Sequence, residues 1–177
     1  VCADTVAGAE LAADQLLRSG CRRFGWLNHS PSTWAGRMRG EAFSRALQAR
    51  GVDVERNLAI LACPEEGYTG GFQAAALADE ALEGIFCANA QLACGFLDGM
   101  RQRGREAPAD FQLIGFDNTP TTAQYSYQLT TLHQDVAAIS RQTLARLQER
   151  TVDPLQPSRT TWVEVTLIHR RTSPFVI

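Results

Sequence analysis

The sequence predicts an α/β fold with a mostly parallel sheet, on three observations. Apolar β-type runs alternate with amphipathic helical stretches through the centre of the chain. Three helical stretches close on a glycine, at Gly20, Gly51 and Gly104, a residue suited to the left-handed backbone of a helix cap. Polar residues collect at the carboxyl end of each central apolar run, at 28–33, 63–68, Asn89 and Asp117. In an open parallel sheet, helix amino termini and loops converge on those ends and ligands sit there.

Taken in order, VCAD is the tail of a strand, and residues 8–20 place Ala9, Ala13, Leu16 and Leu17 on one helical face. RRFGWLN is a strand, HSPST a turn, and 35–50 a helix whose apolar face holds Ala42, Phe43, Ala46 and Leu47. LAILAC is the second strand and PEEGYTG a loop, followed by an alanine-rich helix over 72–82. GIFCAN is the third strand, 91–103 a helix, REAPAD a turn and FQLIGFD the fourth strand. NTPTTAQYSYQ is then a polar connector and LTTLHQ a short extended piece. Residues 136–150 form a helix with Val136, Ile139, Thr143, Leu144 and Leu147 on one side. TVDPLQPS is a proline-marked loop, and TTWVEVTLIHR alternates as a half-exposed final strand.

With 177 residues and 45% hydrophobic content the chain can bury a sizeable core as one domain, or one domain of two lobes. Its formal net charge of −2 does not make the basic surface that nucleic-acid contact requires. All 17 basic residues are arginine, which excludes a Schiff-base lysine and the lysine of a P-loop. Cys2, Cys21, Cys63, Cys87 and Cys94 are odd in number, lack C-x-x-C spacing and read as reduced core thiols of a cytoplasmic protein. Three scattered histidines give a zinc site little to draw on, so neither metal nor cofactor is expected. Neither a membrane span nor a signal peptide is seen.

Several motifs stand in a fixed order along nearly the whole chain. They are Asp4 with Gly8 ahead of a helix, LLRSGCRR, the R-x-x-G of Arg37 and Gly40 followed by EAFSRAL, FCANAQLACG, RGREAPADFQLIGFDN, LTTLHQD and LIHRRTS. The specific part is P-x-D-x-x-L-I-G-F-D-N followed by L-T-T-L-H-Q. This series resembles the effector-binding core of the lactose-repressor family of bacterial transcription regulators. The resemblance implies a type I periplasmic-binding-protein-like fold, with one complete parallel-sheet lobe and part of a second. It assigns 21–118 and 160–172 to the C-terminal lobe, and 1–20 and 129–152 to a remnant of the N-terminal lobe. A partial second sheet of that kind leaves an edge and an apolar face open.

The same resemblance names the candidate effector-binding residues Asp4, Thr33, Arg37, Tyr68, Asn89 and Asp117. Asp117 would accept hydrogen bonds from an effector, or else cap the turn DNTP. Arg37 would bring a planar guanidinium to the cleft, or else form a surface ion pair. Thr33 would touch effector and also cap a helix. Asn89 would donate and accept within the cleft, while Ala90 stands where most relatives carry aspartate. Tyr68 would be an aromatic lid, and Asp4 would face the others from the opposite lobe or cap the helix after it.

The implied task is binding: a small polar metabolite, in the carbohydrate class, closes two lobes and shifts an equilibrium that a DNA-binding headpiece outside this chain reads at an operator. A homodimer is implied, with the helices starting near Phe72 and Gln91 as contact surfaces, although their apolar residues serve a core equally well. The alternative is a solute receptor for sugar uptake, which uses the same lobes. An enzyme is disfavoured, because no spacing places a second carboxylate or a histidine beside Asp117.

Overall fold

The computed structural model describes residues 1–176. In chain order its elements are β1 (Cys2–Ala3), α1 (Thr5–Arg18), β2 (Phe24–His29), α2 (Trp34–Ala49), the single turn α3 (Val54–Asn57), β3 (Leu58–Cys63), α4 (Gly67–Ala74), β4 (Gly84–Cys87) and α5 (Ala90–Gln102). β5 (Gln112–Phe116), β6 (Thr130–Gln134), α6 (Val136–Val152), β7 (Trp162–Val163) and β8 (Val165–Ile168) complete it, with short 3-10 turns at Ala75–Leu77 and Pro120–Ala123. Six strands form one sheet in the order β3-β2-β4-β5-β6-β8, parallel throughout except for β8, which runs antiparallel to β6. β1 and β7 make a separate parallel pair.

The strands are legible from their two buried faces. β4 is buried along its whole length, and β2 and β5 along most of theirs, as continuous apolar runs require when helices cover both sides of a parallel sheet. On one side, Trp26 and Phe86 meet Phe43 of α2 in a cluster with ring centroids 5.1 to 6.4 Å apart. Gly8 of α1 lies against Phe116, Leu132 and Val165 on the same side. On the other side α4 and α5 pack backbone to backbone. A Cβ on Gly71 would lie 2.0 Å from the Leu92 carbonyl oxygen, and one on Gly95 2.0 Å from that of Tyr68.

The chain divides between its two parts elsewhere than the sequence placed the boundary. Residues 1–20 do not stay together in a partner lobe: Ala9, Ala12, Ala13 and Leu16 of α1 are wholly buried in the core shared with α2 and the main sheet. Nor does 129–152: β6 is an interior strand between β5 and β8, and Thr130 and Thr131 are fully buried with their hydroxyls hydrogen-bonded. The expected final strand over 160–172 breaks at Glu164, with β7 joining β1 and β8 joining the main sheet. What remains apart is the β1–β7 pair and α6, in which no residue is buried. The crossings between these and the main sheet fall at Asp4, Asp135 and Glu164. One helix also differs: α4 starts at Gly67 and stops at Ala74, instead of spanning 72–82, because its glycines are what admit it to the surface of α5.

Candidate functional site

The strand order creates a switch point beside β2. From β2 the chain adds β3 on one side and then crosses to add β4 on the other, so the loops after β2 and β4 diverge and leave a crevice at their carboxyl ends. A hollow of about 410 Å³ lies there. Asn28 and His29 come to it from the end of β2, Thr33, Gly36 and Arg39 from the start of α2, Glu66 and Tyr68 from the start of α4, and Asn89 and Gln91 from the start of α5. Three helix amino termini therefore open on it, each bringing backbone donors and a positive dipole end.

Three of the six residues expected at the site line this hollow. Thr33 caps α2, its hydroxyl accepting from the Gly36 N–H at 3.1 Å. Asn89 caps α5 through Oδ1, which accepts from the Leu92 N–H at 2.9 Å and leaves its amide NH2 for other partners. Tyr68 exposes 45% of its surface, but its hydroxyl is fastened, donating to Asp98 Oδ2 at 2.8 Å while Tyr127 donates to the same oxygen at 3.0 Å. That bond pushes the Tyr68 pKa up, since the carboxylate favours the protonated phenol.

The other three sit elsewhere. Arg37 is turned away from Asp117: its guanidinium donates to the Ser32 carbonyl at 2.8 Å and lines a second, apolar hollow with Trp26, Ile60 and Ala62. Asp4 caps α1, accepting from the Ala7 N–H at 3.0 Å, and is not among the residues lining the first hollow. Asp117 lies at the end of β5 and reaches the hollow through another side chain, Arg39.

Arg39 occupies the place in which the sequence put Arg37. Its guanidinium lies 3.6 Å over the Phe116 ring, donates to the Ala88 carbonyl and stands 3.8 Å from Asp117 Oδ1. The signal was present in the helix period: Arg39 is four residues before Phe43 and three before Ala42, both buried, and so shares the inward face. The R-x-x-G pattern read through Gly40 selected an arginine two positions early. Burial lowers the Arg39 pKa against the pull of Asp117. Burial likewise raises that of Asp117, against Arg39, the Gln134 amide and the Ala90 N–H, all of which favour its carboxylate. Both shifts have one leading cause, desolvation of a half-buried pair whose 3.8 Å separation is too long for a hydrogen bond. Arg39 Nε is buried and has no partner among the described residues.

The residues of LTTLHQ, singled out only as a motif, are the scaffold of this arrangement. Thr131 Oγ1 accepts from the Asn118 N–H, His133 Nδ1 meets the Asn118 amide at 3.2 Å, and Gln134 donates to Asp117. The hollow thus offers amide, hydroxyl, guanidinium and carboxylate groups fixed on rigid elements, a set that can recognise a polar guest through alternating donors and acceptors.

The fold is shared with known proteins. A model of the periplasmic binding protein-like domain matches residues 13–173. The HTH-type transcriptional repressor PurR of Mannheimia succiniciproducens is 29% identical over 145 residues, covering 81% of this chain and 43% of that protein. The regulator GalS of Salmonella typhimurium is 29% identical over 142 residues, covering 80% and 42%. The chain therefore spans less than half the length of these relatives. A LacI family transcriptional regulator from Enterococcus faecalis, crystallised with bound ribose, superimposes with a TM-score of 0.83 at 26% identity, over 97% of this chain and 62% of that one. By sequence and by fold, this chain belongs to the periplasmic binding protein-like domain family, in the form found as the effector-binding core of LacI/GalR-type regulators.

Proposed function

We propose that this chain senses a small polar metabolite, a sugar or sugar derivative, for a DNA-binding transcription regulator. The observation that carries the proposal is the hollow at the switch point, which Asn28, Thr33, Asn89 and Gln91 line together with the half-buried Arg39, so that hydrogen-bond donors and acceptors both face it. Vicinal hydroxyls, each both donor and acceptor, match that lining. The ribose in the similar Enterococcus faecalis structure supports the class of ligand. Asp117 serves through Arg39, whose fork it orients, and Tyr68 forms one wall. Asp4 and Arg37, implied by the family resemblance, do not share this hollow, and we assign the arginine role to Arg39. Operator binding belongs to a headpiece outside this chain, and α4 and α5 supply the face on which a second copy packs. A coupling of roughly 1 to 3 kcal/mol between effector and operator changes DNA affinity about 5- to 150-fold.

Calorimetry on the intact regulator carrying this segment tests the reading, using D-ribose, D-galactose, cellobiose and purine bases as probes. Binding of a sugar that is lost in Arg39→Met supports it. Binding of none of the sugars, or binding unaffected by Arg39→Met, overturns it.

A further inference from the structure

The motif LIHRRTS contributes nothing to the hollow itself, yet Arg170 within it reaches the turn that carries Asp117. Two consecutive non-glycine residues there have left-handed backbone, Asp117 with φ 91° and Asn118 with φ 50°. Such values are uncommon outside glycine and persist only where surrounding contacts over-determine them. At this turn the Asp117 carboxylate stands 3.8 Å from Arg39 and accepts from the Ala90 N–H, the first of α5.

The contacts that hold the turn converge on Asn118. Its N–H donates to Thr131 Oγ1 at 3.3 Å, its Oδ1 accepts from Arg170 Nη2 at 2.8 Å and its Nδ2 lies 3.2 Å from His133 Nδ1. The guanidinium settles the orientation of the amide: because Oδ1 faces a cation, Nδ2 must face the imidazole, and His133 accepts at Nδ1. Arg170 is itself anchored, donating through Nη1 to the Leu129 carbonyl at 2.8 Å and to Thr122 Oγ1 at 3.2 Å. Its planar fork spans the two ends of the connector between β5 and β6, a reach that a single ammonium cannot copy.

We propose that Arg170 is a positioning residue for the effector site, acting through Asn118 to hold the Asp117–Asn118 turn in its left-handed backbone and so aim the Asp117 carboxylate at Arg39. The proposal rests on the effector reading only for its biological meaning; the geometry it asserts is measurable without a ligand.

The experiment follows the Asp117 carboxyl carbon by NMR in the intact regulator carrying this segment, labelled with 13C-aspartate, the resonance being identified by its loss in Asp117→Asn. Arg170→Met is expected to move the Asp117 resonance and shift its titration midpoint by about half a pH unit or more. Arg170→Lys should do so less, and the exposed Asp53 should not respond. Asn118→Gly keeps a backbone that tolerates positive φ but removes the amide, so adding Arg170→Met to it should produce no further change at Asp117. If Arg170→Met lowers the melting temperature and leaves Asp117 as in the parent, Arg170 is merely structural and the proposal fails. It fails equally if the two changes add in full. Should Arg170→Met not fold, Arg170→Lys alone or with Asn118→Gly decides the same question. Failure of D-ribose and the other probes to bind would remove the effector reading and leave this result standing.

Discussion

At the scale of single residues the site turns on a half-buried ion pair that is imperfectly made. Asp117 and Arg39 are 3.8 Å apart, with side-chain exposures of 31% and 11%, so each loses hydration and neither gains a full hydrogen bond from the other. Desolvation raises the Asp117 pKa above its ordinary 3.8, which means that the folded state holds the proton more tightly than the unfolded chain does. Its contribution to stability is therefore largest where the acid is protonated, and is lost as pH rises through the raised value. At neutral pH the charged Asp117 contributes less to folding than its protonated form would. Asp117→Asn keeps the shape and removes the charge. Thermal melts at pH 7 should show the variant as stable as the parent or more so, with the difference vanishing below about pH 4. Sugar affinity of the intact regulator should fall about tenfold or more, because Arg39 loses the partner that orients it. A variant that melts lower at pH 7 would show that the pair stabilises the fold and that the desolvation account is wrong.

Between elements, the closest contact is that of α4 with α5, and it decides where the hollow ends. Gly71, Gly95 and Gly99 let the two backbones touch, and this contact seats Tyr68 and Gln91 as neighbouring parts of one wall. Gly95→Ala would drive a methyl group to within 2.0 Å of the Tyr68 carbonyl oxygen, which only separation of the helices relieves. Overpacking of this kind costs about 1 to 3 kcal/mol, or a fall of roughly 2 to 4 °C in Tm per kcal/mol. Differential scanning calorimetry should find that loss, and near-ultraviolet circular dichroism should report a changed Tyr68 environment. A silent Gly95→Ala would contradict the packing. The same contact explains why α4 was displaced in the sequence: GYTGGF has the local chemistry of a loop, and only a partner helix makes it helical. Elements whose signal is local were legible, namely the apolar strands, the glycine-closed helices α1, α2 and α5, and the caps Asp4 and Thr33. Features set by distant partners were not. Regular alternation over 160–170 conceals that Glu164 divides the run between two sheets, and nothing near Thr130 announces that its hydroxyl binds the carbonyls of Arg170 and Ser173. Gly40 likewise drew the eye to Arg37, where the inward face defined by Phe43 pointed to Arg39.

For the molecule as a whole, the unequal anchoring of its two parts matters most. The main sheet carries a continuous core from α1 to β8, whereas α6 has no buried residue and leaves Val136, Leu144 and Leu147 about 60% exposed, at 65%, 61% and 59%. Its cap is sound, with Asp135 accepting from the Ala138 N–H at 2.8 Å, but a lone helix of 17 residues is marginal in water without a packed face. The β1–β7 pair is only two residues long and cannot supply that face. Within these residues β1, β7 and α6 join the main sheet through the crossings at Asp4, Asp135 and Glu164, with Ala3 of β1 also packed against the core, so α6 has the least anchored backbone of this segment. Hydrogen exchange on the intact regulator carrying this segment should show this directly. Amides of α6 should exchange at least about 100-fold faster than those of α5, because they open locally while α5 waits for global unfolding. Leu144→Ser with Leu147→Ser should move Tm by no more than about 2 °C, since neither side chain leaves a buried site. Protection of α6 equal to that of α5, or a large fall in Tm for the double variant, would mean that α6 is packed in solution and that the two parts are one rigid unit. A binding mechanism that moves one against the other would then have no hinge to work with.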